Sequence, residues 1–193
     1  MEVDQIYLGD ANELIKKVPD KSVDLIVTDP PYETPDYNGK GGGLAVGRKA
    51  YREIRDHQLY EGYDLSILDE FVRVMKKINI YLWCSKDQIY KYLDYFVEKR
   101  GCNFEILIWA KSNPIPFCGR HFLKDKEYCL YFWETGVQLN TTASNAKTVY
   151  LTPLNTADKK LYDHPTIKPL EIIENLIEVS SCGGGVNPRP IRR

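Results

Sequence analysis

Asp29, Pro30, Pro31 and Tyr32 follow directly on the apolar run Leu25–Thr28. The order is an acid, two residues without a backbone N–H, and an aromatic ring. Each proline biases the residue before it toward extended backbone, and neither can donate a hydrogen bond. The stretch therefore presents rigid acceptors, a carboxylate and one or two carbonyls, with a flat apolar face beside them. Such a set suits an exocyclic amino group on a planar ring. The amino lone pair of adenine or cytosine is delocalised into the ring, and two acceptors gripping its N–H bonds favour a pyramidal nitrogen that can attack. Tyr32 is the ring expected to stack on the base, a contact of about 1–3 kcal/mol. A base held this way has left its duplex, so flipping is implied. Taken alone, the four residues also suit a Pro-Pro turn that ends a strand.

Acceptors at a strand end need a sheet behind them, and the chain supplies the pattern of one. Gln5–Asp10, "QIYLGD", reads as a short strand, and "ANELIKKVPD" as a short helix closed by Pro19. "SVDLIVTD" places Val23, Leu25, Ile26 and Val27 almost consecutively, the pattern of a strand buried on both faces in a parallel sheet. Ile67, Leu68, Phe71, Val72, Met75 and Ile78 recur at helical spacing between Asp64 and Ile78. "NIYLWCS" reads as a second buried strand, and "KDQIYKYLDYFVEKRG" as an amphipathic helix with Gly101 at its C-cap. "FEILIWAK" and "EYCLYFWETG" are two further strands across a Pro-rich turn. "TIKPLEIIENLIEVSS" is a helix with Leu170, Ile173, Leu176 and Ile177 on one face. Strands alternating with helices predict a three-layer α/β domain with a mostly parallel sheet, in which ligands bind beyond the carboxyl ends of the strands.

Composition narrows the class. With 193 residues, 43% of them hydrophobic, the chain can build one domain with a core. Its net charge of -1 provides no global field for non-specific nucleic-acid binding, though a local groove can still be basic. The five cysteines form no CxxC pair, and the three histidines lack zinc-site spacing, so no metal is expected. Free thiols and the lack of an apolar leader or membrane span point to a cytoplasmic protein. Residues 33–62 have no clear period and contain "NGKGGG" and "GRKAYREIR", which predicts a long mobile loop.

The motifs together resemble the DNA amino-methyltransferases that methylate adenine N6 or cytosine N4. They match the permuted group in which the catalytic motif precedes the cofactor motif. The likeness rests on "YLGDANELIKKVPDKSVDLIVTDPPY", "WAKSNPIP", "KEYCLYFWETG" and "HPTIKPLEIIENLIEVSS", which cover most of residues 5–181. It implies a Rossmann-like α/β sheet and S-adenosyl-L-methionine as cofactor. By this resemblance Asp29 and the Pro30 carbonyl hold the amino group, in the stretch Asp29–Tyr32. Asp10 lies by the cofactor's adenosine, and His164, Pro165, Thr166, Lys168 and Pro169, with Asp29, line its methionine end. Arg48, Lys49, Arg52, Arg55 and Arg120 are the candidates for contact with double-stranded DNA phosphates, and residues 137–160, with "NTTASNAK", hold the target-recognition position. Asp at position 29 is typical of adenine-N6 enzymes, whereas cytosine-N4 members more often carry Ser there. A cognate restriction enzyme is an implied partner. The oligomeric state is left open, a homodimer included.

After Ser181 the likeness stops. The family continues with an apolar strand and a D-P-F-x-G-S-G cofactor loop, where this chain reads "CGGGVNPRPIRR". Codons that encode Asn187 to Arg193 can, read one base later, spell I-L-D-P-F-G. The expectation is therefore a catalytic domain over residues 1–181, incomplete at its C-terminal side, followed by an aberrant tail over 182–193, with weak cofactor binding and impaired activity. Alternatives are an inactive remnant that at most binds DNA, a cytosine-N4 enzyme, or an enzyme acting on RNA or a protein amide; Asn rather than Asp before "PPY" is usual for the last.

Overall fold

Five strands form one sheet in the computed structural model, which describes residues 2, 4–33, 63–116, 121–154, 156–162 and 166–181. They are β1 (Ile26–Thr28), β2 (Asn79–Cys84), β3 (Asn103–Lys111), β4 (Lys126–Trp133) and β5 (Val149–Thr152), in the order β1-β2-β4-β3-β5. The helices are α1 (Ala11–Ile15), α2 (Ile67–Val74), α3 (Ile89–Leu93), α4 (Thr156–Leu161) and α5 (Leu170–Ser180), and α3 runs on into a π-helical turn, Asp94–Glu98.

The period-two alternation of side chains along a strand sorts the core into two halves, one on each face of the sheet. Ile80, Leu82 and Cys84 of β2 join Leu130 and Phe132 of β4, and with Leu68, Met75, Tyr92 and Phe96 they fill one side. Tyr81 and Trp83 join Cys129 and Tyr131, Trp109 of β3, and Ile172 and Leu176 of α5 on the other. The rings of Tyr81 and Tyr131 stack with centroids 4.2 Å apart. All six residues of β2 are buried, and each large apolar side chain so placed contributes about 1.5–3 kcal/mol. At β1, Ile26 packs into the first half while Leu25 and Val27 pack into the second.

Four expectations change. The sheet is mixed: β1 pairs parallel with β2 and β3 with β5, but β4 runs antiparallel to both β2 and β3. The reason is the Pro-rich turn between β3 and β4. A parallel neighbour needs a crossover, whereas a turn returns the chain antiparallel. "QIYLGD" forms no strand; residues 5–8 are unpaired, and Ile6 and Leu8 are fully exposed, because a strand exists only where a neighbour completes its ladder. Helix α2 ends at Val74, and Met75 instead bridges to Val23, with the Lys76 N–H donating to the Val23 carbonyl at 2.8 Å. The buried stripe of α5 is Ile172, Leu176 and Val179, with Ile173 packed beside it, while Leu170 and Ile177 are exposed. The Gly101 expectation holds: its φ is 66°, and its N–H donates to the Val97 carbonyl at 2.8 Å.

Candidate functional site

One edge of the sheet gathers the chemistry. The C-terminal ends of β1, β2 and β3 meet there, and because β4 is antiparallel its N-terminal end arrives at the same edge. Asp29 follows β1, Ser85–Gln88 follow β2, Lys111 ends β3, and Glu127 lies at the start of β4. Lys168 comes from the turn before α5. Its side chain is only 8% exposed, and its Nζ lies 2.6 Å from Asp29 Oδ2 and 3.2 Å from Glu127 Oε2. Lys111 Nζ holds the other Glu127 oxygen at 2.8 Å.

Aromatic faces complete the enclosure. Lys168 Nζ sits 5.2 Å from the Tyr32 ring centroid and 5.3 Å from that of Trp83, within range of cation–π attraction. The Tyr32 hydroxyl donates to Glu127 Oε2 at a long 3.5 Å. The indole N–H of Trp83 is buried with no hydrogen-bond partner among the described residues. Such a group is costly, and its ring lies against the Lys168 ammonium of this charged cluster.

The electrostatics follow from this packing. Burial works against the Glu127 charge, but the Lys168 and Lys111 ammoniums overcome it and hold the carboxyl below its ordinary range. Burial, followed by the charges of Asp29 and Glu127, pushes the Tyr32 phenol far upward, so it stays a neutral donor. Burial and the Asp29 charge push the Cys84 thiol up to about 12, which leaves it an inert core residue.

The backbone of the Asp29–Tyr32 loop divides its acceptors. The Pro31 carbonyl accepts from Gln88 Nε2 at 3.1 Å. No hydrogen bond among the described residues reaches the Pro30 carbonyl. Beyond the loop, Glu33 accepts from Lys91 Nζ at 2.6 and 2.7 Å. An acid on a strand end, a carbonyl that no described group bonds and a tyrosine thus stand together at the carboxyl edge of an α/β sheet, where such folds bind ligands.

Residues 23–186 match the DNA methylase family of the N6/N4 type. The chain belongs to that family. The chain is 28% identical over 203 residues to the Type II methyltransferase M.HinfI of Haemophilus influenzae, an alignment covering 91% of this chain and 55% of that protein. It therefore spans about half the length of the curated relative it matches. Among solved structures, the M1.HpyAVI–SAM complex superposes with a TM-score of 0.60 at 23% identity, covering 92% of this chain and 78% of that one. M1.HpyAVI superposes at 0.57 with 20% identity, covering 92% and 75%. These likenesses are of fold, and they bear out the Rossmann-like α/β class. No helix among the described residues is long and apolar enough to cross a membrane, and those residues hold no cluster of metal-ligating side chains.

Of the residues singled out from sequence, the fold brings Asp29, Tyr32 and Lys168 into one cluster. Pro169 is buried at the N-cap of α5, and Thr166 is exposed three residues before it. Asp10 caps α1, its side chain accepting from the Asn12 N–H at 2.7 Å. His164, Pro165, Arg48, Lys49, Arg52, Arg55, Arg120 and the tail 182–193 lie outside the described residues. The segment 137–160 contains β5 and most of α4. Sequence reasoning missed Glu127, Lys111, Trp83 and Gln88. Only Glu127 carried a signal, as an acid at the start of an apolar strand, the reverse of the order at Asp29, which follows one.

Proposed function

We propose that the methylase transfers a methyl group from S-adenosyl-L-methionine to the N6 amino group of adenine in double-stranded DNA. The observation that carries this is the pairing of a strand-end carboxylate, Asp29, with a Pro30 carbonyl that no described group occupies. Two acceptors fixed this way can take both N–H bonds of one amino group. Asp rather than Ser at position 29 favours adenine over cytosine by the family resemblance, in which adenine-N6 enzymes typically carry Asp there.

The residues present fit the cofactor. A sulfonium cation suits an edge of carboxylates and aromatic faces, the Lys168 ammonium suits a carboxylate, and the orphaned Trp83 N–H is a donor awaiting an acceptor. When bound, the cofactor supplies an electrophilic methyl group. His164, Pro165, Thr166, Lys168 and Pro169 would hold its methionine end and Asp10 its adenosine. Tyr32 would stack on the flipped base, kept neutral by its burial. Asp29 orients the amino group and, being the exposed carboxylate of the pair, is placed to take the released proton to solvent.

Arg48, Lys49, Arg52, Arg55 and Arg120 are assigned to DNA phosphates, and the exposed stretch within 137–160 to recognition of the target. A cognate restriction enzyme as partner and a cytoplasmic location belong to the same proposal. The test is methylation of bulk DNA with labelled cofactor, followed by nucleoside analysis. N6-methyladenine is expected, and Asp29→Ala should lower the rate by roughly ten- to a hundredfold through loss of a charged hydrogen bond. N4-methylcytosine as product, or a fully active variant, overturns the reading.

A further inference from the structure

A loop with two adjacent prolines has no N–H of its own at those positions by which the protein can hold it. Its carbonyls are the only backbone handles, and the proposed chemistry requires one of them to stay free. Gln88 resolves this conflict. The residue is 1% exposed, its Nε2 donates to the Pro31 carbonyl at 3.1 Å, and its Oε1 accepts from the Ser85 N–H at 3.0 Å. The amide orientation is determined by its partners, since a backbone N–H only donates and a carbonyl only accepts. Ser85 Oγ adds a bond to the Glu33 carbonyl at 3.2 Å, so the turn after β2 grips the loop at two points.

We infer that Gln88 is a positioning residue for the base-amino acceptor: by anchoring the Pro31 carbonyl it fixes the direction of the free Pro30 carbonyl. The linkage is short. The Pro30–Pro31 peptide is planar, and the Pro31 ring locks φ near about −65°. The ψ torsion of Pro31 is then the single soft rotor between the anchored carbonyl and the free one. Gln88 itself touches neither base nor cofactor. The role rests on the methyl-transfer reading, but its structural half can be measured without turnover.

Only one Pro-Pro pair occurs among the 11 prolines. Full-length protein labelled with carbonyl-¹³C, ¹⁵N proline therefore gives a single directly coupled ¹³C–¹⁵N signal, that of the Pro30 carbonyl. In Gln88→Met this resonance should shift and broaden, while the α5 helix and the strands keep their circular dichroism. In turnover, kcat should fall roughly tenfold or more with KM for DNA and cofactor unchanged. Gln88→Glu should recover activity per folded molecule as pH falls, because a protonated carboxyl again donates to the Pro31 carbonyl; wild type should show no such gain. An unchanged Pro30 signal in Gln88→Met overturns the inference, as does a loss confined to KM or to stability. If wild type transfers no methyl group, the functional reading has failed, and the Pro30 signal alone then decides whether Gln88 sets the carbonyl.

Discussion

Replacing Lys168 with Met removes the ammonium that joins the two carboxylates while keeping most of the buried stem volume. Stranding a buried charge costs about 3–5 kcal/mol, but two features of this site lower the figure. The Asp29 side chain is 34% exposed and can rehydrate, and Glu127 keeps Lys111 at 2.8 Å. The remaining loss is that of a charged hydrogen bond, about 2 kcal/mol. For a domain of this size that corresponds to a fall in Tm of roughly 4–8 °C, read by calorimetry near neutral pH. The pH dependence has a definite sign. In wild type the Glu127 carboxyl is held below its ordinary 4.5, so its contribution is present above that pH and is lost as pH falls through the folded value. The variant lacks part of that contribution, so the two melting curves should converge in acid. A variant within about 1 °C of wild type near neutral pH, or a gap that widens as the solution is acidified, refutes the placement of Lys168 between the carboxylates.

Glu127→Gln tests the same cluster from the other side. It should lower stability by about 1–2 kcal/mol above pH 4.5 and flatten the acid limb of a denaturant-midpoint titration, because the group with the depressed pKa is gone. Leu82→Ala, at a fully buried position of β2, should cost about 2–5 kcal/mol in urea unfolding with little change in m-value, since it leaves a cavity between packed layers.

Several elements were legible because their signal is local. The β2 run "NIYLWC" is apolar at every position after Asn79, and a strand sandwiched between two layers needs that. Gly101 announced a positive φ, and "DPPY" after an apolar run announced acceptors at a strand end. Other features depend on which neighbour arrives. Both faces of α5 carry apolar residues, and only docking against Tyr81, Trp83 and Tyr131 chose Ile172 and Leu176 over Leu170 and Ile177. "QIYLGD" has the composition of a strand, but composition cannot supply the second ladder. Gln88 was invisible, because nothing in "SKDQIY" shows that its amide will meet a proline 57 positions away.

The chemistry on offer was legible in the sequence: an acid, carbonyls with no neighbouring N–H and a ring, ordered along one short stretch whose prolines permit little other backbone. Tertiary structure alone decided how that stretch is held and charged. Lys168 lies 139 positions from Asp29, and Glu127 and Tyr32 are 95 apart. They meet because β4 inserts antiparallel between β2 and β3 and so brings its first residues to the carboxyl edge. Covalent constraint acts over a few residues and can be read in order; partnership between distant charges exists only once the sheet has brought them together.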